Sequence, residues 1–334
     1  MAGGRERTLR RRIKSVQSTK KITKAMELIA ASRIVKAQQR VAAARPYSER
    51  ITEVIRNLAA AGAGGGSPLL TEPDEVKTVT YIVVAADRGL CGAYNSSVIR
   101  TAEREMQARR AEGLETRLVT VGKKAAGYFR FRGWPIAQSF QGFADQPTYE
   151  DARSIAEFVM TRFGAQARSD GESEQLDGGE QVQLVYTQFL SAASQRVVTR
   201  QFLPLDPSML EQQGPEGPTA DYEFEPNPQE ILDRLLPRYA EARLYAVLLD
   251  GAASFLAAQQ RAMKSATDNA EELITKYTRA MNRVRQDAIT TEIMEIIGGA
   301  EALRAAQTAR GDLLIDHVLV SADVLSSHLA HERR

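Results

Sequence analysis

The sequence predicts an α/β protein with a long antiparallel coiled coil, in which paired N- and C-terminal helices bracket an inserted doubly wound, Rossmann-like α/β domain. Three observations carry this. The two ends of the chain repeat apolar residues every three or four positions, the pattern of helices with one apolar stripe. The middle alternates short β-branched runs with helical ones, which gives a mostly parallel sheet with helices on its faces. Stretches rich in Gly and Pro separate the three parts.

From Arg10 to Leu58 there is no Gly, and Ala, Lys, Arg, Gln and Glu dominate, all strong helix formers. The apolar stripe is assigned to Ile22, Met26, Ile29, Ile34, Ala37, Val41, Ala44, Ile51, Ile55 and Leu58. Such a helix is about 70 Å long at 1.5 Å per residue, longer than a globular core needs. Pro46 is a candidate kink, since it removes one backbone hydrogen bond. The run 60–68 is a flexible break. Strands are then expected at 78–85, 118–121, 136–140, 182–189 and 196–202, with helices at 96–110, 123–132 and 148–163. Polar, acidic 167–181 and the Pro-, Gly- and Glu-rich 210–226 read as exposed loops.

Asn227-Pro228-Gln229-Glu230 is a helix start, with Asn as N-cap, Pro in the first helical position and Glu in the third. Pro237 marks either a kink or the true start. Further on, Met263, Ala266, Ala270, Leu273, Tyr277, Ala280, Val284 and Ala288 form a coiled-coil seam, and Gly298-Gly299 is expected to end the helix. Leu313, Leu314, Val318, Val324, Leu325 and Leu329 suggest a further amphipathic helix. Two striped helices with no local cover pack most simply on each other, antiparallel because the chain must return. The expected organisation is a coiled-coil helix in 1–60, a Rossmann-like domain in 75–205, a second coiled-coil helix in 227–300 and an extension in 301–334.

The overall charge of +2 hides an asymmetry: residues 1–57 carry fifteen Lys or Arg against four Asp or Glu, and the rest of the chain is net acidic. A basic arm on an acidic body suits an electrostatic partner. All three histidines, His317, His328 and His331, fall in the last eighteen residues, and Cys91 is the one cysteine. The body therefore has no imidazole for acid–base chemistry or zinc, and no internal disulfide can form. No stretch has the roughly 20 uninterrupted apolar residues of a membrane span. The expectation is a cytoplasmic protein with no catalytic site, cofactor or metal.

Four segments carry a resemblance. They are 12–27 (RIKSVQSTKKITKAME) followed by Ala30-Ala31-Ser32, 87–95 (DRGLCGAYN), 262–270 (AMKSATDNA) and 285–293 (RQDAITTEI). In this order and spacing they resemble the gamma subunits of F-type ATP synthases, the central stalk, in a bacterial and specifically actinobacterial form. The resemblance spans about residues 1–300. It implies a non-catalytic rotary shaft that couples c-ring rotation to conformational change at beta-subunit catalytic sites. Its partners would be the alpha and beta subunits of the catalytic head, the epsilon subunit and the c-ring, with no nucleic acid. Membrane association would come only through the complex, at the cytoplasmic face of the bacterial plasma membrane.

By the same resemblance, Lys20, Lys21, Lys24, Met26 and Arg33 would meet the head. So would Arg285, Gln286, Thr290 and Glu292, while Ile293, Ile296 and Ile297 would form an apolar tip turning in a bearing. Tyr222, Glu223, Phe224 and Glu225 would dock on the c-ring or epsilon. The loop around Ser169, Asp170, Glu172 and Glu174 is similar to an actinobacterial insertion that restrains ATP hydrolysis. Phe255 and Gln259 stand where the family usually has Glu and Arg, and the paired-cysteine insertion of the chloroplast form is absent.

Two other classes fit parts of the sequence. A nucleotide-binding enzyme would need a Gly-x-Gly-x-x-Gly turn or a Gly-x-x-x-x-Gly-Lys-Ser/Thr loop, and the sequence has neither. A basic coiled-coil nucleic-acid-binding protein would use the N-terminal arm on phosphates. That arm has only Tyr47 as an aromatic, and its apolar stripe runs through the basic stretch.

Overall fold

A computed structural model of the chain describes residues 2–60, 67, 69–70, 72–73, 75–165, 179–205, 225 and 227–331. In order these form α1 (Ala2–Ala60), β1 (Thr78–Val84), α2 (Tyr94–Ala111), β2 (Glu115–Val121) and α3 (Lys123–Phe131). There follow β3 (Gln138–Phe140), α4 (Tyr149–Ala165), β4 (Glu180–Phe189), β5 (Gln195–Leu203) and α5 (Pro228–His331). They fall into two compact units, one of Ile22–Thr267 and one of Met1–Lys21 with Asp268–Arg334.

In the larger unit the sheet runs β3-β2-β1-β4-β5, parallel except for β5, which is antiparallel to β4. All seven residues of β1 are buried, as expected of a central strand covered on both faces. Alternation sorts its side chains. Val79, Tyr81 and Val83 face α2 and α3, packing with Ile99, Met106 and Phe129. Ile82 and Val84 face α4, α1 and α5, packing with Ile155, Ile55, Leu58 and Leu244. Ile55 and Leu58 are wholly buried, and each contributes about 1.5–3 kcal/mol by leaving water.

Within this unit α1 and α5 run antiparallel. Thr23 meets Thr267, Ile34 and Ala37 cluster with Ala253 and Leu256, and Ile55 and Leu58 cluster with Leu232 and Leu236. Through the buried and half-buried positions of α1 in this unit runs one continuous seam, Thr23, Glu27, Ala30, Ile34, Ala37, Val41, Ala44, Ser48, Ile51, Ile55 and Leu58, in alternating steps of four and three, with Met26, Ala31, Gln38, Thr52, Arg56 and Asn57 half-buried beside it. A strict 3.5-residue period is the left-handed coiled-coil pattern. The stripe expected from the sequence is corrected at its start: Ile22 is 61% exposed and Ile29 is 52% exposed. The seam there holds Thr23 and Glu27, so apolar content pointed to the wrong face.

In the smaller unit α1 half-buries Glu6, Leu9, Ile13, Val16 and Lys20, and Lys20 pairs with Glu271 at 2.9 Å. The buried or half-buried face of α5 in this unit is Ala270, Ile274, Tyr277, Thr278, Met281, Val284 and Ala288. The expected Leu273 and Ala280 are exposed, one residue out of phase. In the larger unit the same shift puts Thr267, rather than the half-buried Ala266, in the fully buried position beside Met263.

Two further expectations fail. Helix α5 does not stop at Gly298-Gly299 but continues to His331 as one element of 104 residues. Helical hydrogen bonds need no Cβ, so the two glycines cost about 1 kcal/mol each against Ala. Strong helix formers on both sides carry the helix through. Helix α1 likewise begins at Ala2, ahead of the expected Arg10. At the other junction the capping signal holds: Glu230 N donates to Asn227 Oδ1 at 2.8 Å, and Pro237 lies inside the helix.

Candidate functional site

Ligands of doubly wound sheets bind beyond the carboxyl ends of the strands, where the strand order reverses. Here that edge is largely occupied by the chain's own helix α5. The Tyr94 hydroxyl donates to Gly251 O at 3.0 Å, and Ser254 Oγ donates to Thr187 O at 3.1 Å. Arg261 Nη1 donates to Ala192 O at 2.7 Å. Gly251 lets the helix approach, because a Cβ there would lie 3.3 Å from Val84 Cγ1. Phe255 is 2% exposed and packs edge-on against Tyr94, so it belongs to this joint. Burial raises the Tyr94 hydroxyl well above the usual tyrosine range and keeps it a donor.

Asp87 follows β1 and is a loop tie. It accepts the backbone amides of Lys123 at 3.0 Å, Gly142 at 3.0 Å and Ala144 at 3.1 Å. Asn95 holds the same turn by accepting Ala86 N and donating to Arg88 O and Cys91 Sγ. Cys91 is buried, and desolvation raises its thiol, partly offset by the hydrogen bond from Asn95. An inert, buried thiol is the result. Among the described residues no group of His, Cys, Asp and Glu could hold a metal ion.

The expected partner-binding residues separate by unit. In the larger one, Lys24 and Arg33 are exposed on α1, and Lys24 reaches Glu27 at 3.1 Å. Met26 is half-buried beside the seam rather than in it, and Glu225 is exposed. In the smaller unit Lys21 is exposed, while Lys20 is half-buried in the seam and engaged with Glu271. Arg285, Gln286, Thr290 and Glu292 are exposed on one stretch of α5 with Ile293, Ile296 and Ile297. The isoleucines are 50%, 66% and 54% exposed. Tyr222, Glu223 and Phe224, and Ser169, Asp170, Glu172 and Glu174, lie outside the described residues.

Sequence reasoning missed part of this surface. Ile22 and Ile29 on one flank of the α1 seam, and Leu28 and Val35 on the other, are exposed among the cations, and Ile289, Met294 and Leu303 extend the apolar stretch of α5. The missing signal was phase. A 3.5-residue frame fitted to α1 from Leu9 onward places these residues outside, whereas a local search for apolar spacing places Ile22 and Ile29 inside.

A helix pair carrying an inserted α/β domain, with one of the paired helices packed on the carboxyl ends of its strands, defines the class of fold. The comparisons narrow the class. A family model described as ATP synthase matches residues 5–303. The ATP synthase gamma chain of Parafrankia sp. (strain EAN1pec) is 51% identical over 300 residues, covering 90% of this chain and 98% of that one. That of Mycolicibacterium smegmatis is 48% identical over 304 residues, covering 90% and 98%. This chain belongs to the ATP synthase gamma chain family. Solved structures share the fold: a Euglena gracilis mitochondrial ATP synthase (OSCP/F1/c-ring, rotational state 3) matches with TM-score 0.60 at 18% identity, covering 91% of this chain and 96% of its own. A Tetrahymena thermophila mitochondrial ATP synthase (central stalk/c-ring) matches with TM-score 0.52 at 24% identity, covering 73% and 99%. The nucleic-acid alternative gives way to this membership.

Proposed function

We propose that this chain is the rotary shaft of a proton-translocating ATP synthase, turning against the alpha and beta subunits of the catalytic head and bound to the c-ring and epsilon subunit. It would sit at the cytoplasmic face of the bacterial plasma membrane, attached through the complex. Among the described residues no helix is long and apolar enough to cross a membrane. The observation that carries the proposal is the exposed stretch of α5, where Ile289, Ile293, Ile296 and Ile297 lie beside Arg285, Gln286, Thr290 and Glu292. A monomer gains nothing by exposing four large apolar side chains within nine residues, and such patches mark partner surfaces.

The surface also suits rotation. Apolar contacts have no directional bonds, so isoleucines slide past a partner more freely than hydrogen-bonded groups do. The polar residues beside them, with Lys20, Lys21, Lys24, Met26 and Arg33 on α1, present unlike faces to like partners. A shaft that contacts one conformation of a catalytic subunit better than another shifts that subunit's population as it turns. Mixing the full chain with its alpha and beta subunits tests this. One copy per head and ATPase activity dependent on it are expected, and a head that ignores the chain refutes it.

The segment Tyr222, Glu223, Phe224 and Glu225 is proposed as the c-ring and epsilon contact, and the acidic loop with Ser169, Asp170, Glu172 and Glu174 as a restraint on hydrolysis. The loop's far end is firmly held. Gly179 O accepts Lys77 N at 2.8 Å and Thr78 N at 3.2 Å, and Glu180 is buried at the start of β4. Deleting 168–178, which spares Gly179 and Glu180, from the assembled complex should raise ATP hydrolysis, and an unchanged rate would remove this part of the proposal.

A further inference from the structure

The α2–β2 and α3–β3 turns lead into paired strands, so they stand side by side at the amino edge of the sheet and form one corner of the domain. Both helices end the same way. Gly113 and Gly133 take φ of +86° and +74°, Leu114 N donates to Arg109 O at 3.0 Å, and Trp134 N donates to Phe129 O at 2.9 Å. A left-handed glycine followed by this bond closes a helix and fixes the residue after it. We propose that this corner rests on an anionic lipid bilayer, with Phe131 entering the headgroup layer and Arg110, Arg130 and Arg132 meeting lipid phosphates.

Three observations carry this. First, Phe131, the last residue of α3, is 87% exposed, the most exposed large apolar side chain among the described residues. Its chain neighbours Arg130 and Arg132 are exposed, and Leu114, Trp134 and Ile136 in the same two turns are half-buried. An aromatic ring held in water between arginines is the composition of surfaces that settle into a bilayer interface. A flat acidic protein face would meet the arginines but set Phe131 against charge, whereas a bilayer accepts both.

Second, residues 94–137 carry nine Lys or Arg against four Asp or Glu, while the rest of the chain beyond residue 57 is net acidic. The exposed carboxylates of the corner, Glu112 and Glu115, are paired with Arg109 and Arg117. Arg110 instead lies over the Trp134 ring, 4.1 Å from its centroid, and donates Nε to the neutral Thr116 Oγ1 at 2.6 Å. Basic groups presented this way are drawn to anionic lipid over about a Debye length. Third, the corner lies at a telling end of the domain. Arg243 Nη2 donates to Gln201 O, level with Gln183 near the start of β4, and Ser254 Oγ reaches Thr187 O near its end. Helix α5 therefore runs along β4, and its first residue, Pro228, lies toward the same amino edge as the corner. In the rotor reading, on which this third point rests, the segment just before Pro228 meets the c-ring, so the corner faces the membrane that holds the ring. Fluid lipid imposes no register, so such a contact supports the domain without stopping rotation.

Trp134 is the one tryptophan of the chain, so its fluorescence reads this corner and ignores any lipid binding by the basic N-terminal arm. The full chain is mixed with phosphatidylcholine vesicles, with and without phosphatidylglycerol, whose brominated acyl chains quench a nearby indole. Quenching by the anionic vesicles alone, lost at high salt, is expected. Phe131→Ala should weaken the binding read this way by about tenfold and Arg130→Gln by about fivefold. Both should leave the melting temperature unchanged, because the two side chains stand in solvent. No quenching, even where the chain sediments with the vesicles, overturns the proposal, and so does quenching that neither variant weakens. A Trp134 response to polyglutamate and none to vesicles also overturns it and assigns the corner to an acidic protein. Binding to the alpha and beta subunits is measured without lipid, so a failure here is distinct from a failure of the rotor reading.

Discussion

Gly122 joins β2 to α3 and offers a prediction with two internal controls. Its φ is +92°, and a Cβ there would lie 2.2 Å from Ala85 O, 2.8 Å from Ala85 C and 2.9 Å from Ala86 C. These atoms cannot move aside cheaply. Ala85 N donates to Val121 O at 2.9 Å, Gly122 N to Phe140 O at 2.8 Å, and Lys124 N to Ala86 O at 3.1 Å. Gly122→Ala therefore incurs a left-handed backbone cost of about 1–2 kcal/mol and an overpacking cost of about 1–3 kcal/mol or more. Together they amount to about 2–5 kcal/mol.

Gly133 has φ of +74° and open space around its Cβ position, so Gly133→Ala should show the backbone cost alone, about 1–2 kcal/mol. Gly127 lies inside α3 with ordinary φ and open space, so Gly127→Ala should stabilise by about 0.5–1 kcal/mol. Urea denaturation of the full chain, followed by circular dichroism with linear extrapolation, orders the three variants. A Gly122→Ala cost within about 1 kcal/mol of Gly133→Ala would refute the steric reasoning.

The polar layer of the seam predicts coupling. The hydroxyls of Thr23 and Thr267 meet at 2.8 Å, and the Thr267 hydroxyl also reaches Met263 O at 2.9 Å. Thr23→Val and Thr267→Val should each cost about 1 kcal/mol, and the double variant less than their sum. Strict additivity in denaturation would show that the contact contributes nothing. Asp250 predicts a pH effect, since burial raises its carboxyl to about 6 against the Phe189 amide, Arg200 and Arg45. A folded-state value above the unfolded one gives stability that is full below about pH 4 and lost as pH rises through about 6. Asp250→Asn should remove that slope and stabilise the chain near neutral pH by about 1–3 kcal/mol, and an unchanged melting profile across pH would contradict the assignment. Lys20→Ala should leave stability within about 1 kcal/mol, because its bond to Glu271 is a solvent-screened pair. A larger loss in denaturation would mean that the seam depends on it.

Much of the fold was legible because its signals are local. The β-branched run of β1, the capping box at Asn227 and the period of α4 each announce one element without tertiary information. The strand order and the antiparallel β5 were not stated by any local pattern. The seam was half legible. Ile34, Ala37, Ile51, Ile55 and Leu58 are apolar and buried, whereas Thr23, Glu27 and Thr267 carry polar groups at seam positions and hide the frame. The end of α5 was misjudged because a glycine pair weakens a helix without forbidding it. Of the candidate site, the matched motifs supplied the cationic and apolar residues of the two helices. The exposure of Ile22, Leu28, Ile29 and Val35 on the flanks of the seam needed the three-dimensional phase. The corner where Arg110 meets Trp134 joins two turns that lie apart in the chain, a proximity that sequence spacing does not encode.

The central claim is that the chain turns inside the head it serves. The direct measurement is single-molecule observation of the reconstituted head, with alpha and beta subunits fixed to a surface and a probe on the α/β domain of this chain. Unidirectional, stepwise rotation that requires ATP, and that slows when Ile293, Ile296 and Ile297 are all replaced by Asp, is the predicted result. ATP turnover at full rate with a stationary probe would contradict it.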